Sequence, residues 1–104
     1  MFEKQIQAGV TLLDAKNPGW ESEIDLGRLN LRSDVNCVLG QLYGYFQKGK
    51  DALGLKITFD AVNRADWTEI DNHGFHQPTI ADTEILTEEW KKFISQRLTQ
   101  KNLT

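Results

Sequence analysis

Five residues carry the side-chain types that covalent or metal chemistry would need: Cys37, Asp71, His73, His76 and Asp82. A thiolate is a strong nucleophile once a base takes its proton, and an imidazole oriented by a carboxylate is such a base. Cys37 falls in the first turns of a predicted helix, where unpaired amides favour the thiolate. His73 or His76 would be the base, with Asp71 or Asp82 as its orienter. Together they would form a small Cys/His-dependent hydrolase or transferase. The competing reading places Cys37 in the core, because free cysteines are among the most buried side chains. That second reading is favoured. The two histidines are only weakly diagnostic of a metal and suit a helix end or solvent better. No metal or other cofactor is expected.

A second group points to binding. Gly40 and Gly44 lie on one face of the predicted central helix, and each costs about 1 kcal/mol against alanine in a helix interior. Two such costs on one face predict a close approach, by another helix or by the backbone of a ligand or partner. Gln41 and Tyr45 lie nearest that side. Trp20 reads as a lid on the core, and Trp67 falls outside the apolar stripe of its own segment. Trp20, Gly40, Gln41, Gly44, Tyr45 and Trp67 are therefore the candidate binding surface, an aromatic patch of the sort used in protein recognition. Its competitor has Tyr45 packing under Trp20 or Trp67. Trp90 is expected in the core.

Charged residues add little chemistry of their own. Lys91, Lys92, Arg97 and Lys101 are interleaved with acids and read as a solvated helix face. Glu21, Glu23, Asp25, Asp60, Asp66, Glu69 and Asp71 are distributed rather than massed, which again reads as a solvated face.

The elements that must position these groups follow from periodicity. Phe2, Ile6, Val10 and Leu13 predict a helix over 2–15, stopped at Asn17-Pro18-Gly19. Residues 21–32 alternate weakly and fit an extended segment or two short turns around Gly27. Ser33-Asp34 is a good cap for a central helix over 34–48. Val35, Val38, Leu39, Leu42, Tyr43 and Phe46 supply its stripe, and Gly49 its end. Residues 56–59 alternate like a strand. A helix over 60–72 is favoured, capped by Asp60 and ended by Gly74, with Ile70 and Phe75 in the two contacting positions of a Schellman ending. The alternative is a hairpin pairing 56–62 with 67–71. A polar loop over 76–84 leads to a last helix over 85–98, capped by Thr83 or Thr87. Leu86, Trp90, Phe93, Ile94, Arg97 and Leu98 form its stripe, with fraying expected from Lys101 onward. The expected fold is mainly α: a compact bundle of about four helices, with room for a short strand or hairpin around 56–71, in a single domain over 1–104.

Composition narrows the function classes. Twelve Lys+Arg against fifteen Asp+Glu leave a net charge of −3 over 104 residues, which argues against a nucleic-acid binder. No apolar run approaches the ~18–20 residues that span a bilayer, so no membrane partner is expected. Met1-Phe2-Glu3-Lys4-Gln5 lacks a basic region followed by an apolar stretch, so no secretory signal is expected. One cysteine cannot form a disulfide framework and suits a reducing cytoplasm.

Ile24-Asp25-Leu26, Leu29, Leu31, Ser33 and the block Cys37-Val38-Leu39-Gly40-Gln41-Leu42-Tyr43-Gly44 resemble a small family of uncharacterised bacterial and phage proteins. Gly74-Phe75 and Leu86-Thr87 with Trp90 are similar to the later part of that family's sequences. The resemblance covers most of residues 6–98 and is specific at the Cys37–Gly44 block. Residues 56–72 are longer and different here. The resemblance implies a cytoplasmic protein of a phage, prophage or host bacterium, and brings no catalytic residues. By analogy, such proteins act by binding, including blocking of host defence.

The expectation is a small non-enzymatic binding protein, monomer or homodimer. It occupies a host or partner protein, as an inhibitor of host defence in one version, or holds a small ligand. The alternatives are a weak nucleic-acid-binding accessory protein using the Lys91–Lys101 group and the Cys37/His enzyme.

Overall fold

The computed structural model describes residues 1–102, with side chains to residue 100. Five α-helices, one 3-10 turn and one two-stranded hairpin make a mainly helical fold. Helix α1 (Glu3–Lys16) buries Ile6, Val10 and Leu13, the stripe its spacing predicts. The chain turns at Gly19, whose φ is +83°, into a 3-10 turn over Trp20–Glu23.

The predicted central helix is two helices, α2 (Val38–Tyr43) and α3 (Phe46–Ala52). Residues 34–37 form a turn rather than a first helical turn. Cys37 is the N-cap of α2, its Sγ accepting the Gly40 amide at 3.2 Å. The helix stops at Gly44, where φ is +104°, a value that favours glycine. An apolar stripe that runs on in sequence therefore crosses a corner in space.

The favoured helix holds only for the last part of 60–72. The hairpin alternative holds in kind but not in register: the second strand is 65–66, and 68–71 of the expected second arm are helical. Strand β1 (Thr58–Phe59) pairs antiparallel with β2 (Ala65–Asp66), with Thr58 opposite Asp66 and Phe59 opposite Ala65. Asp60 N–H donates to the Arg64 carbonyl at 3.1 Å and Asn63 N–H to the Asp60 carbonyl at 2.9 Å. Asn63 supplies the left-handed position, φ 66°, as in a three-residue hairpin loop built on a type I turn. The Asp60 carboxylate is not a helix cap. Its Oδ1 accepts the Val62 and Arg64 amides at 3.0 and 2.9 Å, closing the loop.

Helix α4 (Thr68–Asn72) has the predicted ending. Phe75 N–H reaches the Ile70 carbonyl at 3.3 Å, Gly74 N–H reaches that of Asp71 at 3.0 Å, and Gly74 has φ +73°. Helix α5 (Ile80–Asn102) starts earlier than 85 because Thr79 is its cap, accepting the Asp82 amide at 3.1 Å. Thr83 and Thr87, the predicted caps, are buried inside the helix. Thr87 Oγ1 donates to the Thr83 carbonyl and accepts the Leu31 amide at 3.1 Å, fastening the 24–37 segment to α5. Helix α5 also runs on past 98 to Asn102, so the fraying expected from Lys101 onward is not found at Lys101 and Asn102, and residues 103–104 lie outside the described ones.

The core is centred on Trp20 and Trp90, both fully buried and edge-to-face at 6.0 Å. Phe75 stacks on Trp90 at 5.7 Å, and the Trp90 indole N–H donates to the Gly74 carbonyl at 2.6 Å. Arg97 ties three elements together. It meets Asp14 of α1 at 2.7 Å and Glu21 of the 3-10 turn at 3.5 Å, and lies 5.8 Å from the Trp20 ring centre. Among the described residues, no helix is long and apolar enough to cross a membrane.

Candidate functional site

The turn over Asp34–Val35 and the corner at Gly44 bring Phe46, the first residue of α3, towards the segment around α4. Trp67, the N-cap residue of α4, stacks on Phe46 with ring centres 5.8 Å apart and planes 17° apart. The His76 ring also lies close to Trp67, 4.5 Å away and tilted by 31°. Three rings thus meet around Trp67, with Phe46 brought from far away in sequence.

His76 is held from behind. Its Nδ1 stands 2.6 Å from Asp71 Oδ1, across the turn that ends α4. A carboxylate accepts, so Nδ1 is the donating nitrogen of this contact. Asp71, not Asp82, is thus the orienting acid. His73 does not join it. Its Nδ1 lies 2.7 Å from the Glu69 carbonyl on an exposed surface. Among the described residues, no three His, Cys, Asp or Glu side chains converge as a metal would require.

Two cavities flank the stack. One of about 180 Å³ is walled by Leu31, Cys37, Phe46, Trp67, Phe75 and His76. Another, about 510 Å³, lies between Trp67, His76 and the hairpin residues Asp60, Arg64 and Asp66. Beyond it, residues 58–66 are exposed without interruption, with Phe59 and Val62 at 64% and 69%.

Cys37 lines the smaller cavity but is only 3% exposed. Burial pushes its thiol up from the usual range, and the Gly40 and Leu39 amides offset this in part. Its Sγ–H points to the Asp34 carbonyl at 3.8 Å. Cys37 and His76 line the same cavity, and no hydrogen bond joins them among the described residues.

The six residues of the predicted surface do not form one patch. Trp20 is fully buried, its indole N–H donating to Asp14 at 2.9 Å, and presents nothing to a partner. Gly40 is approached closely, but by the chain itself: a Cβ there would collide with the Asp34 carbonyl and the Val35 backbone. Gln41 uses both ends of its amide, accepting the Asp25 N–H at 2.6 Å and donating to the Asp25 and Asn36 carbonyls at 3.1 Å. Gly44 makes the corner. Tyr45 is 48% exposed and is the N-cap residue of α3, beside Phe46. Only Trp67 belongs to the cleft. Sequence reasoning missed Phe46 as its stacking partner and the exposed pair Phe59 and Val62. The Asn63 turn chemistry was the available signal for the hairpin.

The charged groups also depart from a plain solvated surface. Glu21 is 2% exposed and held against Arg97. Arg97 is committed to Asp14 and Glu21, and Lys91 faces Glu88 at 3.5 Å. Lys101 has its side chain outside the described ones. No family model, curated protein or solved structure matches this chain.

Proposed function

We propose that this is a non-enzymatic binding protein that occupies a partner protein through the cleft around Trp67. One observation carries the reading: Trp67 stands half-buried between two open cavities, braced by Phe46 and His76. A rigid aromatic with space beside it is the usual form of an interface hot spot, because its area is already ordered before the partner arrives. The exposed arm carrying Phe59 and Val62 extends the same side of the molecule. The cytoplasm suits the buried lone thiol. The resemblance of the Cys37–Gly44 block to bacterial and phage proteins concerns a cap, a close approach and a corner. It therefore supports shared architecture and a host protein as partner, rather than a shared site.

The test is a photo-reactive residue at Thr68, which lines the larger cavity, against one at exposed Ser95 on α5. Cells of the natural source should yield a protein adduct at 68 that Trp67→Ala abolishes and that position 95 lacks. Equal adducts at both positions, or none at 68, would count against the cleft.

A small ligand is the second reading, favoured by the 180 Å³ cavity. Cavities of roughly 150 Å³ hold benzene. Native mass spectrometry of protein from its source would show added mass that denaturation removes.

A further inference from the structure

We propose that the open edge of β1 pairs with the same edge of a second copy of this chain, antiparallel and centred on Thr58. The hydrogen-bond alternation of the hairpin leads there. The Asp60 amide bonds the Arg64 carbonyl, so that pair faces inward. In an antiparallel ladder inward and outward pairs alternate. Phe59, opposite Ala65, therefore turns its N–H and C=O outward, and Thr58, opposite Asp66, turns its own inward. Ile57 again faces outward. The edge of β1 thus offers two donors and two acceptors from Ile57 and Phe59, with no partner for them among the described residues.

The residues along that edge read Lys56-Ile57-Thr58-Phe59-Asp60. An antiparallel copy centred on Thr58 places Ile57 opposite the partner's Phe59 and Thr58 opposite the partner's Thr58. Lys56 then faces the partner's Asp60. The two Ile57–Phe59 pairs are the hydrogen-bonded ones, and they use all the outward groups on both chains. Phe59 is 64% exposed, while Ile57 is half-buried on the core. The pairing lays each exposed ring over the other copy's Ile57. Aliphatic–aromatic, Thr–Thr and opposite-charge pairs are the favourable cross-strand combinations. Asp60 also holds its own Arg64 at 2.7 Å, so the Lys56 contact supplements the backbone bonds. A two-fold axis through Thr58 makes the contact isologous, and the product is a closed four-stranded sheet rather than a chain of copies.

The contact is smaller than the roughly 20–30 residues a side of a stable interface, so pairing is expected to be weak and to need concentrated protein. A register centred on Lys56 would put Lys56 against Lys56, which like charge disfavours, and one centred on Ile57 would leave Lys56 opposite Thr58 rather than Asp60.

Symmetric cross-linking tests both the pairing and its register. Thr58→Cys should oxidise to a disulfide-linked dimer at least about ten-fold faster than Val62→Cys, which is equally exposed but off the axis. Cys37 is buried in both variants. Sedimentation of the natural chain should show a reversible dimer. Phe59→Pro, which deletes an outward N–H and leaves the β1–β2 bonds, should be monomeric. Cross-linking at 58 no faster than at 62, or a monomer at about 1 mM, would overturn the proposal. The cross-linking comparison decides the matter even where the proline disturbs the hairpin.

Discussion

The carbonyl of Asp34 accepts the Phe46 amide at 2.8 Å while lying against the face of Gly40. One peptide unit thus joins the turn before α2 to the start of α3, and only a residue without a Cβ leaves it room. Gly40→Ala should cost about 1–3 kcal/mol, the range for overpacking. It should also loosen Phe46 and with it the Trp67 stack. Urea unfolding and Trp67 fluorescence would read the two effects.

Gly44 predicts a different penalty. Nothing lies within 4 Å of a Cβ placed there, but φ is +104°. Gly44→Ala should therefore lose about 1–2 kcal/mol through backbone strain alone, with the cleft unchanged. A D-alanine introduced by chemical synthesis should restore most of that loss. Equal destabilisation by both enantiomers would mean that space, not conformation, is limiting.

Cys37 should be a sluggish thiol. Burial raises its pKa, so at a given pH less of it is thiolate than in an unfolded chain. A disulfide reagent should label native protein far more slowly than denatured protein, and added denaturant should restore the ordinary rate. Fast native labelling would revive the enzyme reading.

The hairpin loop should respond to acid before the core does. The Arg64 amide, above all, holds the Asp60 carboxyl below its usual range, with help from the Arg64 guanidinium and the Val62 amide. A depressed folded pKa gives stability that is present above the unfolded value and is lost as pH falls through the folded one. Hydrogen-exchange protection at Val62 and Arg64, taken relative to the intrinsic rate at each pH, should fall across that acidic window while α5 stays protected. Asp60→Asn should remove the pH response.

Arg97 belongs to the scaffold. Arg97→Ala would leave Glu21, 2% exposed, without its guanidinium. The loss should be about 2 kcal/mol, below that of a fully buried pair because Arg97 keeps some solvent contact. Thermal unfolding would measure it. Arg97→Lys should recover only part, since an ammonium cannot span Asp14 and Glu21 as a planar fork does.

How far the sequence revealed this molecule depended on the range of each signal. The stripes of α1 and α5 are local and were legible. So was the Schellman ending at Ile70–Phe75, because every group in it lies within a few residues. The corner at Gly44 was hidden, since Val38, Leu39, Leu42, Tyr43 and Phe46 continue a helical period across it. Trp20 followed Pro18-Gly19 and read as a lid, although its ring enters the core once Asp14 takes the indole N–H. At the cleft, Asp71 and His76 were named among the candidates, but spacing alone did not choose them over Asp82 and His73. Phe46 and Trp67 meet only through two turns of tertiary structure, and no spacing announces that.

Gln41 and Thr87 hold the irregular 24–37 segment by gripping its backbone at Asp25, Asn36 and Leu31. Backbone amides and carbonyls are the same whatever side chain they carry. Arg28 and Arg32, whose exposed side chains join only those of Asn36 at 3.2 Å and Glu84 at 3.5 Å among the described residues, are therefore freer to drift over evolutionary time than the two gripping residues. Among relatives of this chain, invariance at 41 and 87 beside variation at 28 and 32 would be the signature of a clamp on shape rather than of a recognised sequence.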